Sequence, residues 1–380
     1  LHSFPTRRSS DLMTKKRARD LGIPFEGTPG KLNAITDVEG ITVGMTTLIK
    51  GDQNSKIGEG PIRTGVTVIL PRGKSPEPVF GASATLNGNG EVTGLAWLEE
   101  SGFIENPIGI TNTHSVGVVR DAIIEWVFKN NVFIPTQYNV YWSMPIVGET
   151  WDGRLNDCNG FHVKKADVFS ALDQAKSGAV LEGNVGGGTG MVLHHYKGGT
   201  CTASRVLPKS QGGYTIGVLA QANYGERRNL TIAGVPVGKE MMENLPQYHS
   251  LFGSQDAGSI IVVVATDAPM LPHQLKKLCR RVPMGLARLG SYGANSSGDI
   301  FLAFSTANQK GFQRKDIAQL DMISNDELDP IFEATIQAVE EALVNCLCAA
   351  ETMTGLNNTT VHSMPQEKLI ALLKKYNRIP

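Results

Sequence analysis

The chain lacks an excess of charge of either sign, long hydrophobic runs, and any linker that would divide it. Lys plus Arg and Asp plus Glu number 36 each among 380 residues, so no basic field is present that would attract nucleic acid. No run reaches the roughly 18–20 apolar residues that a membrane-spanning helix needs. No Pro- or Ser-rich stretch, internal repeat or low-complexity tract separates two halves. These absences argue against nucleic-acid and membrane partners and allow a single large domain.

Cysteine and histidine are too sparse and too scattered for a metal site. The five cysteines are odd in number, and their spacing does not match a metal site, so we predict reduced and mostly buried thiols; they are Cys158, Cys201, Cys279, Cys346 and Cys348. His194 and His195 are adjacent, and neighbouring residues on a strand point to opposite faces. We therefore interpret both histidines as structural and expect no metal and no cofactor.

The 42 glycines and modest aromatic content are typical of a loop-rich α/β enzyme. The glycine-rich stretch 183–190 lacks the GK[ST] ending and the GxGxxG spacing of phosphate-binding loops, which favours a tight loop of backbone donors near an active site. Strand and helix patterns intermix along the chain, which indicates α/β or α+β layers. The predicted strands are 66–70, 214–222, one beginning at Ser259, and 299–305; the predicted helices are 114–130, 163–177, 271–289 and 329–354.

Residues 1–12 do not fit the rest of the chain. Arg7 and Arg8 suggest a twin-arginine export signal, but no apolar segment follows them. The stretch resembles translated upstream sequence, and Met13 is the expected native start. We therefore expect a soluble cytoplasmic protein, with a periplasmic location if a leader is missing.

The junction of Gly258 and Ser259 is the most informative feature. A small, polar loop (249–255) leads to it, and a β-branched run follows at once. A serine here can simply open a buried strand. It can also cleave its own chain, because glycine leaves its carbonyl unshielded and tolerates strained backbone angles. Attack by the Ser259 hydroxyl on the Gly258 carbonyl, followed by hydrolysis, would leave Ser259 as a new terminus. Its α-amine, with a pKa near ~7.7–8.0, would then be a base for the same hydroxyl.

Motifs from about Arg17 to about Met353 resemble the DmpA-type L-aminopeptidase/D-amidase-esterase family, which includes the β-peptidyl aminopeptidases. Besides the junction, the similar segments are 33–38, 43–44, 63–67, 86–91, 110–117, 149–153, 183–190, 221–225 and 297–306, in the same order. The resemblance implies an αββα sandwich, two central sheets between helical layers, similar to the N-terminal-nucleophile hydrolases.

The resemblance also implies roles for particular side chains. Ser297 and Asp299 would lie beside Ser259 and accept hydrogen bonds from its α-amine and hydroxyl. Asn223 would donate to the oxyanion. Without the resemblance, 296–299 is an equally good polar turn and Asn223 an ordinary turn residue.

Two further residues are expected to contact the substrate. Glu149 would bind the substrate ammonium group, which only the first residue of a chain carries. Trp151 stands where some relatives have a tyrosine that assists the oxyanion; its indole N–H can donate but cannot accept.

Taken together, we predict a self-processing serine aminopeptidase that hydrolyses N-terminal residues from small peptides, amides or esters. One catalytic domain, 13–380, would be cleaved into 13–258 and 259–380, and the resemblance implies a homo-oligomer of such two-chain units. The first alternative is an acyltransferase similar to the ornithine acetyltransferases, which have threonine at the junction; Ser259 and Glu149 favour the hydrolase. The second is an uncleaved, non-enzymatic binding protein.

Overall fold

The computed structural model describes residues 16–51, 56–135, 140–247, 258–313 and 316–380. The strands in these ranges are β1 (Thr42–Lys50), β2 (Ile62–Lys74), β3 (Val79–Gly88), β4 (Phe103–Ile104), β5 (Ile108–Asn112), β6 (Val147–Thr150), β7 (Val192–Leu193), β8 (Tyr196–Lys197), β9 (Gly199–Val206), β10 (Thr215–Asn223), β11 (Ser259–Thr266), β12 (Gly298–Ser305), β13 (Met353–Thr354) and β14 (Thr360–Val361). The predictions for residues 1–12, for Met13 and for the loop 249–255 lie outside the described residues.

The α-helices of the same ranges are α1 (Leu95–Ser101), α2 (Val116–Lys129), α3 (Lys165–Asp173), α4 (Val237–Glu240), α5 (Pro272–Cys279), α6 (Val282–Arg288), α7 (Asp329–Ala349) and α8 (Gln366–Lys375). The glycine-rich segment contains a buried 3₁₀ helix, Gly186–Gly190. No helix in the described ranges has both the length and the apolar character needed to span a bilayer.

Two sheets form the centre of the molecule. Within the described residues, one sheet has the strand order β1-β2-β5-β6 and the other the order β4-β3-β12-β11-β10-β9. Most neighbouring strands are antiparallel, but β11 and β12 are parallel, as are β5 and β6. The parallel pair β11–β12 brings the starts of two strands to the same edge, and the antiparallel strand β10 ends there. This edge carries the candidate site.

Three apolar layers hold the sheets and helices together. Between the sheets, buried side chains from β2 and β5 pack with those of β10, β11 and β12. On the far side of the larger sheet, the alternate side chains of β10 and β11 pack against α7 and α5. On the far side of the smaller sheet, α2 and α3 cover β2. The order of layers is helix, sheet, sheet, helix, as the resemblance implied.

Two predicted elements differ from the structure, and both differences involve a proline. Residues 271–289 form two helices, α5 and α6, because Pro283 lacks an N–H and its ring would clash with the preceding turn of a continuous helix. Conversely, β2 does not end before Pro71 but continues to Lys74. Pro71 lies just beyond Leu70, the last residue of β2 that pairs with β1, so no ladder hydrogen bond is lost.

The histidine pair also differs from its predicted setting. His194 and His195 do not lie on a strand; they form the two-residue turn between β7 and β8, both with positive φ. His194 is fully buried, and this burial lowers its pKa to about 4. In the described part of the chain, no three metal-ligating side chains cluster.

Candidate active site

Ser259 is the first residue of β11, and its neighbours on the adjacent strands lie in or beside other candidate residues. Pairing with β10 places Ser259 opposite Asn223, and pairing with β12 places it beside Gly298. Ser259 and Asn223 are both buried, each with 3% of its surface exposed. Asn223 and Gly298 are 36 and 39 positions from Ser259 along the chain. They lie next to it because β10 ends, and β11 and β12 begin, at the same edge of the sheet.

The position before Ser259 leaves little room for a side chain. A Cβ on Gly258 would lie 3.0 Å from both Cα and Cβ of Tyr224, closer than backbone and side chain normally approach. The Gly258 carbonyl accepts a hydrogen bond from the backbone N–H of Gly298 at 3.1 Å. A donor on this oxygen polarises the carbonyl that the Ser259 hydroxyl would attack.

The Ser259 hydroxyl faces two N–H donors. The backbone nitrogen of Trp151 lies 3.3 Å from Ser259 Oγ, and Asn223 Nδ2 lies 3.5 Å from it. The Asn223 amide is fixed at both ends, because Nδ2 also donates to the Trp151 carbonyl at 2.9 Å and Oδ1 accepts from the Val192 N–H at 2.9 Å. Two preorganised donors beside a hydroxyl form an arrangement that can stabilise a developing oxyanion.

Ser297 and Asp299 flank Gly298, the strand partner of Ser259. Ser297 Oγ donates to Asp299 Oδ1 at 2.6 Å, and Asn87 donates to Asp299 Oδ2 at 2.9 Å. Burial raises the pKa of Asp299, while these two hydrogen bonds lower it. Neither side chain hydrogen-bonds to Ser259 Oγ in the part of the chain that the structure describes. The pair therefore lies at the predicted edge, but its predicted contacts with the nucleophile are not formed in this structure.

Glu149 lies near the end of β6, in the same pocket as Ser259. The pocket has a volume of about 360 Å³, and its lining includes Glu149, Trp151, Gly258, Ser259 and Ser296. The carboxylate accepts from the backbone N–H of Glu91 at 3.0 Å and from the Thr113 hydroxyl. Burial raises the pKa of Glu149, and both hydrogen bonds oppose that shift. A fixed carboxylate within the nucleophile's pocket can bind a substrate cation.

Trp151 contributes through its backbone more than its ring. Its N–H and carbonyl contact Ser259 and Asn223, whereas its indole packs against Gly153, where a Cβ would lie 2.6 Å from Nε1. For the contacts with Ser259 and Asn223, the position of the Trp151 main chain therefore matters more than its indole side chain.

Sequence reasoning did not assign roles to three residues that orient the site. Thr113 holds Glu149, Asn87 holds Asp299, and the Val192 N–H holds Asn223. Thr113 and Asn87 lie in segments that resemble the family, 110–117 and 86–91. Polar residues at or just past strand ends were the signal that could have found them. Nothing in the sequence around Val192 distinguishes a backbone donor.

Comparisons with known proteins decide the family. A model of peptidase family S58 matches residues 33–361. The chain belongs to peptidase family S58. It is 50% identical over 377 residues to the β-peptidyl aminopeptidase BapA of Sphingosinicella microcystinivorans, covering 96% of this chain and 93% of the relative. The family resemblance drawn from the sequence motifs is confirmed.

Solved structures of S58 relatives show the same fold. The L-aminopeptidase D-Ala-esterase/amidase of Ochrobactrum anthropi, described as a prototype serine aminopeptidase with a variant of the Ntn hydrolase fold, matches with a TM-score of 0.88 and 47% identity over 96% of this chain and 100% of that one. A Burkholderia β-aminopeptidase matches with a TM-score of 0.84 and 45% identity over 95% and 99%. The S58 chain therefore has the layered fold of a serine N-terminal-nucleophile hydrolase, as the sequence resemblance implied.

Proposed function

We propose that this S58 chain is a self-processing serine aminopeptidase in which Ser259 is both the cleavage site and the nucleophile. The observation that carries the proposal is the shared pocket: Ser259 and Glu149 line one cavity, and two N–H donors, from Trp151 and Asn223, lie beside the Ser259 hydroxyl. The aminopeptidase, esterase and amidase activities named for its relatives support it.

Self-cleavage would proceed by an N-to-O acyl shift. The Ser259 hydroxyl attacks the Gly258 carbonyl carbon, the peptide C–N bond breaks, and the hydroxyl proton passes to the departing nitrogen. Water then hydrolyses the resulting ester, which gives a Gly258 carboxylate and a free Ser259 hydroxyl and amine. The close approach of Gly258 to Tyr224 and the donor on its carbonyl hold the bond at the start of β11.

Turnover would use the same hydroxyl with its own α-amine as the base. The amine takes the proton from Oγ as Oγ bonds to the substrate carbonyl carbon, and the leaving amine then receives that proton. Asn223 Nδ2 and the Trp151 N–H stabilise the oxyanion. A water molecule attacks the acyl-enzyme and releases the N-terminal residue. Asp299, which accepts a hydrogen bond from Ser297, would orient the α-amine of Ser259.

Glu149 selects substrates by their N-terminal ammonium. The pocket is large enough for one amino-acid side chain, and the Glu149 carboxylate in its lining is held in place by the Glu91 N–H and the Thr113 hydroxyl. Small peptides, amides and esters with a free amine are therefore the substrate class. Assembly into a homo-oligomer of two-chain units and a cytoplasmic location stay predictions.

The test is the covalent state of the purified protein. Intact mass and N-terminal sequencing of active wild-type protein should give a second chain that begins Ser-Ile-Ile-Val. Ser259→Ala should remain one inactive chain, while Ser177→Ala, at an exposed position, should be cleaved normally. Active wild-type protein without that new terminus would contradict the proposal. Product analysis separates the hydrolase from the acyltransferase alternative, since only the latter would need an added amine acceptor.

A further inference from the structure

Lys197 is a buried lysine that the mechanism above does not use. It lies on β8, and no part of it is exposed to solvent. Its Nζ donates to the carbonyl oxygens of Met191 and Gly198, both at 2.8 Å. Among the described residues no carboxylate forms an ion pair with it. Burial lowers its pKa to about 7, the expected direction for an ammonium without a counter-charge.

The hydrogen bond from Lys197 ends on a peptide group that also contacts the site. Lys197 Nζ binds the oxygen of the Met191–Val192 peptide, and the N–H of that same peptide donates to Asn223 Oδ1 at 2.9 Å. The other end of the Asn223 amide, Nδ2, lies 3.5 Å from Ser259 Oγ. A continuous series of hydrogen bonds thus leads from a buried lysine to the nucleophile through two amide groups.

Amide groups transmit polarisation. An amide whose oxygen accepts a hydrogen bond becomes a stronger N–H donor, and successive bonds strengthen one another in a low-dielectric interior. A cation on the first oxygen enhances this effect because a charged donor makes a stronger bond than a neutral one. The series would therefore strengthen the Nδ2–H donor of Asn223 and hold its orientation.

Satisfying the Met191 carbonyl does not explain the lysine. This oxygen already accepts the backbone N–H of Gly198 at 2.9 Å, so the hairpin bond is complete without Lys197. Methionine or leucine would fill a similar volume without the desolvation that a buried ammonium suffers. The bond from Lys197 to the Gly198 carbonyl at 2.8 Å can serve the hairpin, but its bond to Met191 brings a second donor to an oxygen whose hairpin hydrogen bond is already made.

We propose that Lys197 is a positioning residue for acyl transfer, acting through the Met191–Val192 peptide to orient and polarise the Asn223 amide against the oxyanion. The inference rests on the proposed oxyanion role of Asn223. It assigns no contact between Lys197 and the substrate. Its effect should consequently appear in kcat, because stabilisation of the oxyanion is gained only in the transition state.

The experiment is a double-mutant cycle between Lys197 and Asn223 with an alanyl p-nitroanilide. Lys197→Met should lower kcat by about tenfold and change KM by less than about twofold. Asn223→Ala should lower kcat by about 10²–10³-fold. In the Asn223→Ala background, Lys197→Met should have almost no further effect, because the donor through which it acts is gone. Lys197→Gln, which keeps a neutral donor, should fall between wild type and Lys197→Met.

The assays use protein that intact mass shows to be fully cleaved. Where cleavage is incomplete, the double-mutant cycle is built from the self-cleavage rates of wild type, Lys197→Met, Asn223→Ala and the double mutant. Lys276→Met, at a surface ion pair with Glu99, is the matched control and should retain wild-type kinetics. Additive effects of Lys197→Met and Asn223→Ala would overturn the inference, as would a loss confined to KM. Failure of both Lys197 variants to give folded protein would overturn it too, by assigning the lysine to folding. Normal activity of Asn223→Ala would instead refute the oxyanion assignment of the proposed function.

Discussion

Individual side chains in this pocket are held by groups that the reaction itself does not need. Glu149 is fixed by the Thr113 hydroxyl and the Glu91 N–H, and Asn223 by the Val192 N–H. Such supports keep a carboxylate and an amide in one orientation before substrate arrives, which lowers the reorganisation that binding and catalysis require. A conservative substitution of Glu149 or Asn223 should therefore remove the charge or the N–H donor while the shape of the pocket is kept.

Glu149→Gln tests whether this carboxylate recognises the substrate amine. A charge-assisted hydrogen bond in a partly desolvated pocket contributes roughly 1.5–3 kcal/mol, so kcat/KM for a free alanyl p-nitroanilide should fall about ten- to a hundredfold. The N-acetylated substrate should be poor for wild type and should lose little in the mutant. Glu91→Gln, at an exposed carboxylate lining the same pocket, separates specific binding from net charge. Equal losses for both substrates would make Glu149 structural.

Asp152 gives a prediction about pH. Its carboxyl is fully buried beside the site, and this burial raises its pKa from 3.8 to about 7, although interactions with Thr64 and Asn156 act in the opposite direction. Because the folded-state pKa is raised, the stability contributed by the neutral carboxyl is present below pH ~4 and is lost as the pH rises to about 7.

Asp152→Asn should therefore gain stability over wild type as the pH rises. The difference in free energy of unfolding should grow by roughly 2–3 kcal/mol between pH 5 and pH 8. Thermal or urea unfolding at the two pH values measures it. Asp121→Asn, at an exposed position on α2, should show no such trend. A mutant that is destabilised equally at both pH values would mean that Asp152 is ionised and hydrogen-bonded in the folded protein.

At the scale of elements, the sequence predicted what depends on local pattern. The β-branched run after Ser259 and the apolar stripe from Asp329 predicted β11 and the whole of α7, because these elements are buried and their periodicity is strong. The predicted helix 329–354 is too long, since α7 ends at Ala349. The helix break before Pro283 also has a local signal, because proline is unfavourable inside a helix. By contrast, the turn of His194 and His195 has no glycine, asparagine or aspartate to announce its positive φ values.

The candidate site divides along the same line. Five candidate residues were found through motifs: Ser259, Asn223, Glu149, Ser297 and Asp299. The strand pairings of the larger sheet bring four of them to one edge, and Glu149 faces the same pocket from β6 of the smaller sheet. The supporting contacts were not found, because they join residues distant in sequence through backbone atoms, as with Val192 and the Trp151 peptide. Backbone donors carry no residue signature, so only the assembled sheets reveal them.

For the whole molecule, the proposed cleavage separates two chains that share one sheet. β10, before the junction, pairs with β11 after it, and α7 packs against β9 and β10. A buried ion pair adds to this: Glu341 on α7 binds Arg205 at 2.8 Å and Arg19 at 2.8 Å, and both arginines precede the junction. The cleaved protein should therefore elute as one species in gel filtration yet give two bands on a denaturing gel.

Glu341→Gln should weaken this connection strongly. It would leave Arg205, which is almost fully buried, without its counter-charge, and breaking one side of a buried pair costs about 3–5 kcal/mol. The free energy of unfolding is best measured in urea in the uncleaved Ser259→Ala background, where unfolding is unimolecular. The neighbouring Glu340→Gln is the matched control, since its partner Arg288 is 38% exposed and surface pairs contribute about 0–1 kcal/mol. If the two substitutions cost the same, packing of α7 and strand pairing hold the chains together and the buried ion pair contributes little.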